Sequence, residues 1–370
     1  MLTPDDVCAI IFAGQGVMSP FGKRQYSGKQ IIKAGDMLRD IDQLTPEDQE
    51  WALGVLDNFR ALHAMPLNSF QATLRQRIDR LGITGFIVAQ RIKRKPTILD
   101  KLHRYADMQL KRMHDIGGIR VILPNLKELD ALKNLYLSST SRISHKLVQE
   151  YDYISTPKAS GYRGIHLVFS YHTSHPDKQD YEGLRIELQL RTQLQHVWAT
   201  AVEIFEAFMG ENFKSSKGSQ EWLDFFALAA SAFAHKEKQT VVPAHAGMSK
   251  EELLLRLKEK MDSLHVLEVM QSFTLTDTLT SKRKHEGGHA LLIFDATEKL
   301  ATVRHYTASE YEEAYSAYIR EEEKNRSRQN RQVVLVKMTS IQQLEKAYPN
   351  YFANIRQFRT LLLQVLKDYM

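Results

Sequence analysis

The chain has 370 residues, 43% hydrophobic and 25% charged, with a formal charge of +6 and a pI near 9.1, which is room for two or three globular domains and a mild lean toward a polyanionic partner. Nothing in it approaches the unbroken apolar run of about 20 residues that a membrane helix needs, and MLTPDDVCAI lacks the basic region and apolar core of a secretory signal, so a cytoplasmic protein with no membrane partner is expected. A single cysteine, Cys8, excludes an internal disulfide and any zinc site built from several cysteines.

From Gln30 to about Leu81 apolar residues recur at helical spacing (Ile31, Ile32, Leu38, Ile41, then Trp51, Val55, Leu56, Phe59, Leu62), with Thr45-Pro46-Glu47 as a start signal between two helices. An apolar run at Phe86–Ala89, a basic segment, a helix after Pro96 and the strand-like IRVIL at 119–123 follow. A helix at 125–138, strands at 164–171 and 183–191, and helices at 192–209 and 219–237 complete an α/β pattern. The polar stretch 235–252, with a proline and a glycine, reads as a linker. Beyond it come a helix to about Leu267, strands at 289–295 and 301–306, a helix at 308–324, a strand at 332–338 and closing helices that include 351–367. The expected fold is therefore α+β or α/β, with a mixed sheet flanked by helices and a smaller C-terminal α+β domain. The expected borders are 1–85 helical, 86–237 core, 238–269 linker and connecting helix, and 270–370 C-terminal domain.

Four stretches carry chemistry. Residues 151–166, YDYISTPKASGYRGIH, set Tyr151, Tyr153, Tyr162, Lys158 and His166 among Pro157, Gly161 and Gly164. Lys158 and His166 are candidate phosphate donors and Tyr162 offers a face for a base; the stretch equally reads as a surface turn with half-buried tyrosines. In RIELQLRT, 185–192, period two puts Ile186, Leu188 and Leu190 on one face and Arg185, Glu187, Gln189 and Arg191 on the other. A carboxylate beside arginines suits a metal-bound polyphosphate, and a half-solvated strand alternates in the same way. Asp115 precedes Gly117 and Gly118 at a strand entrance, with Arg120 beyond, as a metal-holding or a capping aspartate. Arg91, Lys93, Arg94, Lys95, Lys101 and Arg104 gather charge around Pro96, as a phosphate clamp or a solvated face.

Together these stretches resemble the synthetase domain of the RelA/SpoT alarmone synthetases over about residues 86–210, a nucleotidyltransferase-like core. The resemblance rests on Arg91, Lys93, Thr97 and Lys101, on Asp115-Ile-Gly-Gly-Ile-Arg120, on Pro157, Lys158, Gly161, Tyr162, Ile165 and His166, and on Glu187, Gln189, Arg191, Thr192 and His196. Gly164 and Thr97 depart from it, standing where serine is usual. The resemblance implies transfer of the β,γ-pyrophosphate of ATP to a 3′-hydroxyl. Asp115 and Glu187 would be catalytic and hold Mg²⁺; Arg91, Lys93, Thr97, Lys101, Arg104, Arg120, Gln189 and Arg191 would bind ATP; Lys158, Tyr162 and His166 would bind the acceptor.

No preceding metal-dependent hydrolase pattern is seen, so the chain resembles the short, single-function members, and residues 250–370 resemble the tail of the fused toxin–antitoxin proteins called CapRel, a zinc finger without its metal ligands. That likeness implies a regulatory pair, Tyr348 and Tyr351, over the adenine pocket, a tail packed as strands 289–295 and 332–338 against helix 351–367, and release by a phage protein, a capsid protein, bound to the tail. The implied acceptor is the 3′-terminal adenosine of tRNA, with Lys29, Lys33, Lys214 and Lys217 on its backbone. A free alarmone such as ppGpp or ppApp is the alternative product, and a non-catalytic RNA-binding or phage-sensing module a second alternative.

Overall fold

The computed structural model describes residues 22–138, 144–209, 220–271, 288–295, 300–325 and 331–367. The chain forms two compact units: Met1–Val121 with Ala131–Glu150 and His166–Gln189, and Ile122–Asp130 with Tyr151–Ile165 and Leu190–Met370.

Helix α1, Gly28–Met37, opens on a capping box in which Ser27 and Gln30 each satisfy the other's backbone N–H. Helix α2, Pro46–Leu62, starts at the expected signal: Thr45 Oγ1 accepts from Asp48 N at 3.2 Å, and Pro46 takes the first turn. Helix α3, Ala64–Arg80, follows almost without a loop. Their apolar stripes, Val55, Leu56, Phe59 and Leu62, then Phe70, Leu74 and Ile78, are all buried.

Strand β1 is Ile87–Ile92, helix α4 Lys95–Arg104, β2 Gly117–Leu123, α5 Leu126–Leu137, β3 Lys146–Asp152, β4 Ile165–Ser170 and β5 Arg185–Thr192. The five strands form one sheet in the order β1-β2-β5-β4-β3. This order decides between the two readings of RIELQLRT. As the middle strand, β5 is buried on both faces, so Glu187, Gln189 and Arg191 are only 7%, 8% and 5% exposed, and the alternation marks a buried polar face and not a solvated one. Strand β3 was not expected; KLVQEYD is an edge strand whose first four residues are exposed, so it carries no apolar alternation.

Helices α6, Gln193–Met209, α7, Gln220–Lys236, and α8, Lys250–Ser263, build an aromatic core around Trp198, Phe205, Trp222, Phe225 and Phe226. The stretch after α7 is stitched onto it: Ser231 Oγ accepts from Val242 N at 3.0 Å and meets His245 Nδ1 at 2.8 Å. Strands β6, Gly288–Asp295, β7, Leu300–Thr307, and β8, Arg331–Lys337, make a small antiparallel sheet in the order β7-β6-β8. Leu291 and Ile293 of β6 are buried against Ala317 of the helix Tyr311–Asn325.

The C-terminal helix, Tyr351–Lys367, overturns one expectation. It packs on α6, α7 and α8, where Phe358 lies 6.5, 6.4 and 5.7 Å from the rings of Phe225, Phe226 and Phe233. Ile355, Phe358, Leu362, Val365 and Leu366 form its buried stripe, so the helix expected to cover the small sheet belongs to the helical core.

Candidate active site

Lys93 follows β1, Lys101 is on α4 and Asp115 precedes β2. Asp115 accepts from Lys93 Nζ at 2.6 Å through Oδ2 and from Lys101 Nζ at 3.0 Å through Oδ1. Burial pushes this carboxyl up, but the two ammonium charges and their hydrogen bonds hold it down at about 2, so it is ionised at neutral pH. Lys93 in turn is lowered by burial, with Asp115 acting against that.

Neighbouring strands β2, β5 and β4 assemble the second carboxylate. Glu187 Oε1 takes the hydrogen bond of His166 Nδ1 at 2.7 Å and Oε2 that of Gln189 Nε2 at 2.7 Å; Arg120 Nε reaches Gln189 Oε1 at 3.4 Å. Burial pushes Glu187 up and Asp115 adds to that, but His166 and Gln189 more than offset both and leave it below the ordinary range. Asp115 and Glu187 are thus both ionised at neutral pH, and the charge of Asp115 acts on Glu187. His114, lowered by burial and by Arg185 and Lys101, feels both carboxylates, and no motif singled it out.

In the second unit, Tyr151 and Tyr153 stack at 5.8 Å, and Tyr153 meets Tyr162 edge-on at 5.8 Å. Lys158 Nζ lies 4.4 Å from the Tyr153 ring centre and 5.3 Å from that of Tyr162. Arg191 donates to the Tyr162 hydroxyl at 2.7 Å with its guanidinium 4.9 Å from the ring centre. Two glycines permit this packing. Gly161, at φ +92°, would place a Cβ 2.5 Å from Ala230 Cβ; Gly164, at φ +149°, would place one 3.2 Å from Arg191 Cγ. Next to Tyr162, buried Arg163 donates to the carbonyls of Ile154 and Thr240, and burial lowers it to about 10. Glu237, raised by burial, accepts from Thr192 and Gln195. Arg163 sits in plain view inside the quoted loop, but nothing local announces Glu237 as part of its surroundings.

The structure thus regroups several expected residues. His166, placed by the sequence with Lys158 and Tyr162, is bonded to Glu187; Arg191, placed with the ATP clamp, packs on Tyr162. Arg104 is exposed and pairs with Asp100 one turn back on its own helix, while Arg91 and Thr97 are exposed on β1 and α4. Lys29 is exposed, and Lys33 lies 5.3 Å from the Trp51 ring centre. Tyr348, Lys214 and Lys217 lie outside the described residues, and Tyr351 begins the C-terminal helix.

Among the described residues no group of three His, Cys, Asp or Glu side chains is placed to hold a metal ion. The hard oxygens of Asp115 and Glu187 suit Mg²⁺ that arrives with phosphates, because that ion keeps waters and takes one or two carboxylates beside phosphate oxygens. No helix among the described residues is long and apolar enough to cross a membrane.

Comparison with known proteins finds similarity over the stretch that holds these residues. Residues 90–204 match the family model described as "Region found in RelA / SpoT proteins". Over 115 residues, 30% of this chain and 52% of each relative, the chain is 30% identical to the GTP pyrophosphokinases YwaC and YjbM of Bacillus subtilis. It thus spans about half the length of these curated relatives. Small alarmone synthetase 1 of Bacillus subtilis, solved bound to its product pppGpp, is similar at a TM-score of 0.43 and 21% identity over 50% of this chain and 93% of that one. Residues 90–204 of this chain thus resemble a region found in RelA/SpoT proteins.

Proposed function

We propose that this chain is an ATP-dependent pyrophosphokinase that moves the β,γ-diphosphate of ATP to the 3′-hydroxyl of a guanosine nucleotide. The observation that carries the reading is the pair of ionised carboxylates, half-buried Asp115 and buried Glu187, set among Lys93, Lys101, Arg120 and His166. Transfer of this kind asks for positioning and charge neutralisation more than for covalent help from the protein. The guanosine acceptor is supported by the relatives, which are named GTP pyrophosphokinases.

In this reading Lys93 and Lys101 turn from Asp115 to the donor phosphates, freeing a carboxylate for Mg²⁺, which Asp115 and Glu187 would hold. Bound there, the ion would neutralise phosphate charge. The acceptor 3′-oxygen bonds to the β-phosphorus as that phosphorus releases the oxygen bridging it to the α-phosphate. AMP leaves with the electron pair, and the hydroxyl proton passes to Glu187, whose orientation His166 and Gln189 fix. Lys158 and Tyr162 would take the acceptor, and a stacked base there is worth roughly 1–3 kcal/mol.

Acceptor transfer to the tRNA 3′ end is the competing chemistry at the same site, and one assay separates the two. With γ-labelled ATP, label should move into GDP or GTP with AMP formed in equal amount. Label entering only tRNA overturns the guanosine acceptor, and label entering neither overturns the activity. A regulatory tail at 270–370 opened by a phage protein stays within this reading only with a limit: helix 351–367 cannot leave without baring Phe225, Phe226 and Phe233, so release would fall to the small sheet.

A further inference from the structure

Two charged side chains of α2 have no part in the chemistry above. Asp57 and Arg60 bond each other at 3.2 Å. Arg60 Nε also donates to the backbone carbonyl of Lys93 at 3.0 Å, while Asp57 Oδ2 accepts from Lys95 Nζ at 2.6 Å. The backbone N–H of Lys93 donates to the Ile116 carbonyl at 2.8 Å, and its ammonium reaches Asp115. Just past Ile116, Gly117 lies against the residue that closes α2: a Cβ there would stand 3.2 Å from His63 Cβ. Helix α2 therefore flanks the Lys93–Asp115 pair twice, gripping the backbone that carries the ammonium and backing the strand entered through the carboxylate. The helix is itself fixed, with Val55, Leu56 and Leu62 fully buried and Phe59 nearly so.

We propose that Arg60, steadied by Asp57, is a positioning residue for the donor-phosphate clamp, holding the Lys93 backbone so that its ammonium is presented to Asp115 and to a polyphosphate. The catalytic consequence rests on the pyrophosphokinase reading; the brace does not. Arginine suits the task because its planar fork serves a carbonyl through Nε and a carboxylate through a terminal nitrogen at once, which the single ammonium of lysine does not do in a fixed geometry.

The test compares Arg60→Ala, Arg60→Lys, Lys93→Ala and the Arg60→Ala/Lys93→Ala double variant of the full chain. Misplacement of a clamp by about 1 Å costs up to roughly 100-fold, so Arg60→Ala should lower kcat/KM for ATP by about tenfold or more, with Arg60→Lys between it and the native protein. Added to Lys93→Ala, it should cost nothing further, because Arg60 acts through Lys93. Independently of activity, Arg60→Ala should speed hydrogen exchange at the Lys93 amide by about tenfold while the buried amides of Val55 and Leu56 keep their protection. Losses that multiply in the double variant, an unchanged kcat/KM, or loss of protection throughout α2 would each overturn the proposal. If the native protein transfers nothing from ATP to any acceptor, the functional reading fails and exchange alone decides: unchanged exchange at Lys93 then rejects the brace as well.

Discussion

Strands β5 and β6 are each the middle strand of their sheet, yet they bury opposite kinds of side chain. On β5, Glu187, Gln189 and Arg191 are buried beside Ile186, Leu188 and Leu190, whereas β6 buries Leu291 and Ile293 against a single helix. A buried charge costs several kcal/mol unless it is paired and hydrogen-bonded, and β5 meets that condition from the strands beside it and from the Tyr162 loop: His166, Arg120 and Tyr162 each contact one of its polar residues. The small sheet carries a modest version of the same device, Glu321 at 4% exposure between Arg304 and Lys324, at 3.5 and 3.2 Å. The lesson is that a middle strand can bury charge where its neighbours pair it, whereas one rich in leucine and isoleucine needs only an apolar helix against it.

The contrast can be broken by placing a carboxylate on β6. Leu291→Glu sets a charge at a position with 0% exposure in an aliphatic cluster, and should cost about 3–5 kcal/mol, read as a large fall in the urea midpoint. Phe358→Ala tests the helical core and should cost about 3–4 kcal/mol, as three phenylalanine rings lose their neighbour. Truncation near residue 270 should for the same reason yield a poorly folded chain; a well-folded, cooperatively melting truncation would contradict the packing of this helix.

A third prediction concerns His63, which backs Gly117 and donates through Nδ1 to the Phe59 carbonyl at 2.8 Å, leaving Nε2 without a partner among the described residues. Burial lowers it from 6.5 to about 4. Because the unfolded chain binds this proton more readily, its contribution to stability is complete above pH 6.5 and declines as pH falls toward 4. The loss over that window should approach about 3 kcal/mol and be absent in His63→Leu. Smallest of all, Tyr162→Phe removes the hydroxyl that Arg191 donates to and should cost about 1 kcal/mol, seen as a raised KM for the acceptor at unchanged kcat.

Much of this was legible along the chain because the informative signals are local. Thr45 and Pro46 announce α2, the period of two in RIELQLRT announces β5, and Asp115 and Glu187 stand in recognisable motifs. What escaped depends on partners remote in sequence. Residues 351–367 show an amphipathic stripe, but no stripe names its partner, and α6–α8 took the place expected for the small sheet. The position of β5 in the middle of its sheet decides that its polar face is buried, and strand order is not written in one strand. Arg60 reads as an ordinary helix arginine until the Lys93 carbonyl is seen beside it.

The central claim, that the buried carboxylate of β5 is there for chemistry, is tested most directly by Glu187→Gln. The substitution keeps the shape, removes the charge and turns one of the two accepting oxygens into a donor, which rotation of the neighbouring Gln189 amide can meet. Pyrophosphate transfer from ATP should fall by about 10³-fold or more, while thermal unfolding stays within a few degrees of the native protein. Transfer retained within about tenfold of native, in a variant that folds normally, would contradict the account, because general acid–base help of the kind assigned to Glu187 contributes roughly 10²–10⁴-fold.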